Sequence, residues 1–380
     1  MNPSSLTPEQ QQQQRQMWAL LEREIAAAGG AIPFHRYMEL ALYAPGLGYY
    51  VAGASKFGEA GDFVTAPLIS PLFSRCLGNQ AAQVLEQVPG GSILEFGAGT
   101  GVMAADLLAR LAELDRVPEE YLILEPSPEL RQRQQQALAG RLGGLAKRVR
   151  WLDRLPERFR GLVVANEVLD AMPVQRFRKR EGRVEELWVA LESGRLEARW
   201  RPASPELARA VARIEGAVGA LPDGYCSEVN PGIGPWIAAL GALLEQGVVL
   251  LIDYGHERSV HYHPQRAMGT LRTHFRHQAG EDPLVLPGLQ DITAHVDFTA
   301  VAEAADEAGL ERLGYASQAG FLIGCGIHRL LAEADPQQPG YLDLAQGARR
   351  LLLPEGMGEQ FKAMALGRGI RDDLMGFSAP

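Results

Sequence analysis

Cysteine is scarce in this chain: three residues in 380, Cys76, Cys226 and Cys325, with no CxxC pair among them. That spacing argues against a disulfide framework and a thiolate zinc site, and it suits buried thiols in a reducing compartment. Long apolar runs are also missing, and the N-terminus lacks the basic-then-apolar layout of a secretory signal. Membrane insertion is therefore not expected, and the chain reads as cytoplasmic. Positive charge is not in excess either, since 37 Lys and Arg stand against 46 Asp and Glu for a net of −9. A nucleic-acid partner would need a basic face, whereas an acidic chain can attract a basic peptide. No internal repeat appears, and the length is enough for a full core without cross-links.

What is present begins with Ser92 to Gly101, Ser-Ile-Leu-Glu-Phe-Gly-Ala-Gly-Thr-Gly, an apolar run ending in Glu95 and followed by alternate glycines. Gly97, Gly99 and Gly101 let the backbone approach a ligand where a Cβ would collide. The spacing is G-x-G-x-G and not the dinucleotide G-x-G-x-x-G. A preceding carboxylate would repel a pyrophosphate but suits a ligand with a sulfonium and an amino group. The loop thus points to S-adenosylmethionine ahead of NAD. A helical pattern through Ala104, Leu107, Leu108, Leu111 and Leu114 follows, and then a buried strand, Tyr121–Leu124, that ends in Glu125. A carboxylate at that tip matches the two hydroxyls of an adenosine ribose. Ser127 and Pro128 read as the cap and first turn of the next helix.

Val149–Leu152, Gly161–Ala165 and Val248–Ile252 continue as short apolar strands of a covered parallel sheet. Trp151 and Leu152, at the end of the first of these, are candidates for the adenine pocket. Thr7-Pro-Glu-Gln10 is a capping-box helix start, with Met17, Leu21 and Ile25 on one face. Residues 43 to 70, rich in Gly and aromatics, form a candidate cap on the cofactor that includes Thr65 and Pro67. Between the fourth and fifth strands, Gln175–Arg180, Arg183–Ala190 and Arg195–Arg201 alternate apolar with polar and read as an antiparallel meander. The expected organisation is a helical cap over 1–90, a first half of the sheet domain over 91–170, an inserted meander and helical unit over 171–246, and the second half over 247–380.

Chemistry is expected where the fourth strand stops, at Asn166-Glu167-Val-Leu-Asp170. Two carboxylates there would lie beside the glycine loop and could hold a guanidinium in fork geometry, making Glu167 and Asp170 the catalytic candidates. Asp253 and Tyr254 end the fifth strand at the same edge and are candidate substrate contacts. His256 and His295 would be the bases if the acceptor were an oxygen. The histidines and arginines from 256 to 277 lack metal-site framing and suggest a mobile lid.

Taken together, Lys56-Phe-Gly-x-x-Gly-Asp-Phe-x-Thr-Ala-Pro67, Leu94-Glu-Phe-Gly-Ala-Gly-Thr-Gly101, Asn166-Glu-x-x-Asp-Ala-x-Pro-Val174, Ile252-Asp-Tyr-Gly255 and Asp291-Ile-Thr-Ala-His-Val-Asp-Phe298 resemble the MidA-like family of S-adenosylmethionine-dependent methyltransferases. The resemblance spans about residue 30 to 370. It implies an α/β, class I methyltransferase, Rossmann-like fold with a seven-stranded sheet and an antiparallel edge strand. It also implies S-adenosylmethionine as cofactor, a protein arginine as acceptor, and a substrate-side role for Asp297. The alternatives are a small-molecule O- or N-methyltransferase, and an assembly factor that binds S-adenosylmethionine but acts by gripping a partner.

Overall fold

The structure is a computed structural model that describes residues 6–52, 65–276 and 278–378. Its centre is a sheet whose main path contains seven strands: β1 (Ser92–Phe96), β2 (Tyr121–Leu124), β3 (Val149–Leu152), β4 (Phe159–Asn166), β5 (Leu244–His256), β6 (Glu311–Ser317) and β7 (Phe361–Arg368). The spatial order is β6-β7-β5-β4-β1-β2-β3. The pairs among β1 to β5 are parallel, and β7 runs antiparallel to both neighbours. The antiparallel strand is therefore one place in from the edge, and β6 is the edge strand.

Strand alternation explains why the middle strands are apolar throughout. Leu162, Val164, Val248 and Leu250 face a layer that includes helices Pro71–Gln87 and Val102–Glu113. Val163, Ala165, Val249 and Leu251 face the opposite layer, with helices Ile233–Leu243 and Phe298–Glu307. Both sides are covered, so neither parity of residue can be polar. Pro71–Gln87 and Ile233–Leu243 fall in stretches that the sequence grouped with the cap and the insertion, yet they pack on the central sheet.

The meander forms as read, over Gln175–Arg180, Arg183–Glu192 and Arg195–Pro202, and it recruits two further strands, Ala31–Pro33 and Cys226–Val229. Pairing of Ile32 with Val189 ties the N-terminal segment to the insertion. Helix Pro8–Ala27 starts on the expected capping box and turns Met17, Leu21 and Ile25 into the cluster that holds Leu187 and Val189. The stretch read as a mobile lid is packed structure. It contains the helix Arg258–His261 and the strand Arg272–Phe275, with His261, Leu271, Thr273 and Phe275 buried. His277 and residues 56–64 of the first motif lie outside the described residues. Among the described residues no helix is long and apolar enough to cross a membrane.

Candidate functional site

From β1 the chain proceeds to β2 and β3 on one side, then crosses to β4 and β5 on the other. The strand order reverses between β1 and β4, and a crevice opens at the carboxyl ends of such a pair. A cavity of about 840 Å³ occupies it, lined at one end by Glu95, Gly97, Gly99, Glu125 and Leu152. Thr65, Pro67 and Asn166 also line it.

In the glycine loop φ is 62° at Gly97, 53° at Gly99 and 81° at Gly101. All three lie in the left-handed region, where a side chain is strained. Gly101 starts the helix Val102–Glu113 behind the cavity wall. Glu95 is buried and accepts a 2.7 Å hydrogen bond from the Tyr121 hydroxyl on Oε2, while its Oε1 has no partner. Burial pushes this carboxyl up to about 7. A buried carboxylate oxygen without a donor suits an ammonium, which would complete its hydrogen bonding and favour its charged form. Glu125 accepts from the Ser127 amide at 3.0 Å and from Gln134 Nε2 at 3.2 Å, one bond per oxygen. That leaves acceptor capacity on both oxygens for a pair of vicinal hydroxyls. The residues present therefore fit the amino-acid and ribose parts of S-adenosylmethionine.

Five sequence candidates, Gly101, Ser127, Trp151, Asp253 and Asp297, are not in the lining. Ser127 does not line the cavity; it caps Pro128–Leu142 and donates its amide to Glu125. Trp151 is also outside the lining, and its indole N–H donates to Gln134 Oε1 at 2.8 Å. It is half-buried and packs beside the apolar cluster on that side of the sheet. Asp297 accepts from the amides of Thr299 and Ala300 and pairs with Arg258 at 3.0 Å, so it is a helix cap and not a cavity residue.

The rest of the lining mixes carboxylates and aromatics with the basic side chains of Arg272, His274 and Arg350. Glu167, Asp170 and Asp291 belong to it together with Tyr43, Tyr50 and Tyr254. Glu167 sits at φ 54°, unusual for a residue with a side chain. Its Oε1 accepts from Asn166 Nδ2 at 3.1 Å and the Ala66 amide at 3.4 Å. The residue is half-buried and lines the cavity. Burial and then the charge of Asp170 push it up to about 8. Burial pushes Asp170 up to about 6, against a hydrogen bond from Tyr254, and its Oδ1 is buried without a partner. Tyr50 donates to Asp291 at 2.8 Å and Tyr43 to the Ala171 carbonyl at 3.0 Å. The two rings stack with centroids 5.6 Å apart.

Asp253, expected at the substrate, lies behind this wall and is fully buried. Its Oδ2 accepts from the amides of Val168, Leu169 and Asp170, and its Oδ1 from that of Tyr254. One carboxylate thus organises the turn that presents Glu167 and Asp170. Asp253→Ala is expected to lower folding stability by about 2–5 kcal/mol, because several buried amides lose their acceptor together. An unchanged urea midpoint would contradict this role. His295 lines the cavity, whereas His256 does not. Burial pushes His295 down to about 3 and His256 to about 4.

The sequence reading passed over Tyr43, Tyr50, Asp291 and Gln134 as site residues. The aromatic density of Tyr43 to Tyr50 and the final motif beginning at Asp291 signalled the first three. Gln134 is one of many polar residues in Arg131-Gln-Arg-Gln-Gln-Gln136, and nothing in that run separates it from its neighbours.

Residues 76–316 match a family model described as "Putative S-adenosyl-L-methionine-dependent methyltransferase". The chain is 28% identical to the mitochondrial protein arginine methyltransferase NDUFAF7 homolog of Drosophila melanogaster, covering 97% of this chain and 90% of the relative. It is 30% identical to the mitochondrial protein arginine methyltransferase NDUFAF7 of Danio rerio, covering 88% and 83%. Among solved structures it is similar to a Burkholderia thailandensis protein crystallised with S-adenosyl-homocysteine, at 46% identity and a TM-score of 0.94, covering 98% of this chain and 97% of that one.

Proposed function

We propose, from the premise that this chain belongs to the family of S-adenosyl-L-methionine-dependent methyltransferases, that its methyl acceptor is the guanidinium of an arginine in a protein. The observation that carries this reading is the grouping of Glu167, Asp170 and Asp291 with Tyr43, Tyr50 and Tyr254 on one cavity shared with the glycine loop. S-adenosylmethionine, when bound, supplies an electrophilic methyl group on a sulfonium. Glu95 would hold its ammonium and Glu125 its ribose.

The remaining work falls to the acceptor end. Carboxylates at fixed positions receive the planar, five-donor guanidinium in a defined orientation. Tyrosine rings offer faces on which that cation can stack. Orientation of the nitrogen toward the methyl group is the main contribution a protein can make to an in-line displacement. The new C–N bond forms as the S–C bond breaks, and the nitrogen must then lose one proton. Glu167 and Asp170 would take it. The named activity of the Drosophila and Danio relatives supports the same acceptor.

An oxygen acceptor would need a base near neutral pKa. Of the two imidazoles that line the cavity, His274 and His295, burial holds His295 near 3, too low for that task. The test is incubation with methyl-labelled S-adenosylmethionine and a cell extract, followed by complete hydrolysis of the protein fraction. Label in methylarginines is the expected result. Label only in small molecules, or in another amino acid, would overturn the proposal.

A further inference from the structure

Gln134 is fully buried in the helix Pro128–Leu142, immediately behind the donor end of the cavity. It makes three side-chain hydrogen bonds to three different parts of that end. Its Nε2 donates to the Gly99 carbonyl at 2.9 Å and to Glu125 Oε2 at 3.2 Å, and its Oε1 accepts from Trp151 Nε1 at 2.8 Å. An amide side chain can ordinarily be turned over, exchanging oxygen and nitrogen. Here it cannot be turned without loss. The indole N–H of Trp151 is a donor only, so the amide oxygen must face it, and the NH₂ group must face Gly99 and Glu125.

Each of these bonds has a consequence on the cavity side. In a trans peptide the carbonyl and the following N–H point in opposite directions. Holding the Gly99 carbonyl against Gln134 therefore turns the Thr100 N–H away from it, toward the side where Gly99 and Thr100 line the cavity. With φ of 53° at Gly99, this peptide has no side chain of its own to fix it. The second bond works with the Ser127 amide to hold Glu125 at both oxygens, which sets the plane of the carboxylate.

We infer that Gln134, oriented by the Trp151 indole, is a positioning residue for the methyl donor: it sets the Gly99–Thr100 peptide and the Glu125 carboxylate in one arrangement that receives the nucleoside. Removing it leaves the Gly99 carbonyl without that donor and lets the carboxylate rotate. The inference concerns the donor only and stands whatever the acceptor is.

The test is calorimetric titration with S-adenosyl-homocysteine of Gln134→Leu, Glu125→Gln and the double variant, with melting temperatures recorded for each. Gln134→Leu is expected to weaken affinity about 10- to 100-fold, the two hydrogen bonds it donates to Gly99 and Glu125 being lost. The double variant should be little weaker than the weaker single one, because the two residues act as one unit. A merely structural Gln134 would lower the melting temperature and leave the cycle additive, and an additive cycle overturns the inference. So does a Gln134→Leu affinity within twofold of the parent. Should Gln134→Leu fail to fold, Trp151→Phe decides. It keeps the ring and removes the N–H, and it should weaken affinity about 3- to 10-fold. An unchanged affinity in that variant overturns the inference.

Discussion

Replacing Glu167 by Gln should lower kcat/KM for an arginine acceptor by about 10²- to 10⁴-fold, the range expected when a proton-accepting, charge-pairing carboxylate is lost. Affinity for S-adenosyl-homocysteine should change by less than about threefold, since that end of the cavity is built on Glu95 and Glu125. Asp170→Asn should behave in the same way. The pH dependence follows from the positions of the two carboxyls, about 8 for Glu167 and about 6 for Asp170. Below that window the pair is protonated and cannot hold a guanidinium, so wild-type kcat/KM should rise with pH between about 6 and 8. The Gln variant should lose the upper limb of that rise.

Stability should move the other way. A carboxyl raised from its ordinary 4.5 to about 8 keeps, in the folded protein, a proton that the unfolded chain has released. Its contribution to stability is complete below the unfolded value and declines as pH rises through this window. Glu167→Gln removes the cost of ionising a half-buried group beside Asp170. It should therefore raise the melting temperature by a few degrees at pH 8.5 relative to the parent, and by less at pH 5. A variant that is stabler in alkali and inactive would separate the chemistry from the fold. Full activity, or a flat pH profile in the parent, would exclude Glu167 as the proton acceptor.

The second large effect is expected at Gly99. With φ at 53°, valine would place a β-branched side chain in the left-handed region, at a strain of about 1–3 kcal/mol. It would also put two methyl groups at the wall of the cavity that Gly99 lines. Affinity for S-adenosyl-homocysteine should fall by at least about 100-fold, and methyl transfer should cease with it. The urea midpoint should drop only by the strain. The same variant tests the assembly-factor alternative, because a cell that tolerates Gly99→Val would be using the protein as a binding partner and not as an enzyme.

Most of the donor end could be read from the chain, because glycines with positive φ and carboxylates at strand tips must follow strand and helix at fixed spacing. Glu95, Gly97, Gly99 and Glu125 line the cavity, whereas Gly101 starts the helix that follows. The acceptor end was readable only in part. Glu167 and Asp170 follow directly from the end of β4, but Tyr43, Tyr50 and Asp291 come from remote segments that tertiary packing brings together. Asp253 and Asp297 show the opposite failure. An acid at a strand end serves equally well as a substrate contact or as an acceptor for nearby amides, and only coordinates tell which. Edge strand β6, Glu311-Arg-Leu-Gly-Tyr-Ala-Ser317, was missed because it is half-exposed and interrupted by Gly314, so it has no apolar run to detect.

Methyl transfer to arginine requires one cavity to hold a sulfonium-type donor and a guanidinium together. A crystal structure with S-adenosyl-homocysteine and an arginine-containing peptide tests this most directly. The expected result has the donor product's ammonium on Glu95, its ribose on Glu125, and the peptide guanidinium within about 3 Å of the Glu167 and Asp170 carboxyl oxygens. Both ligands bound with the guanidinium elsewhere, or the product seated away from Glu95 and Glu125, would contradict it.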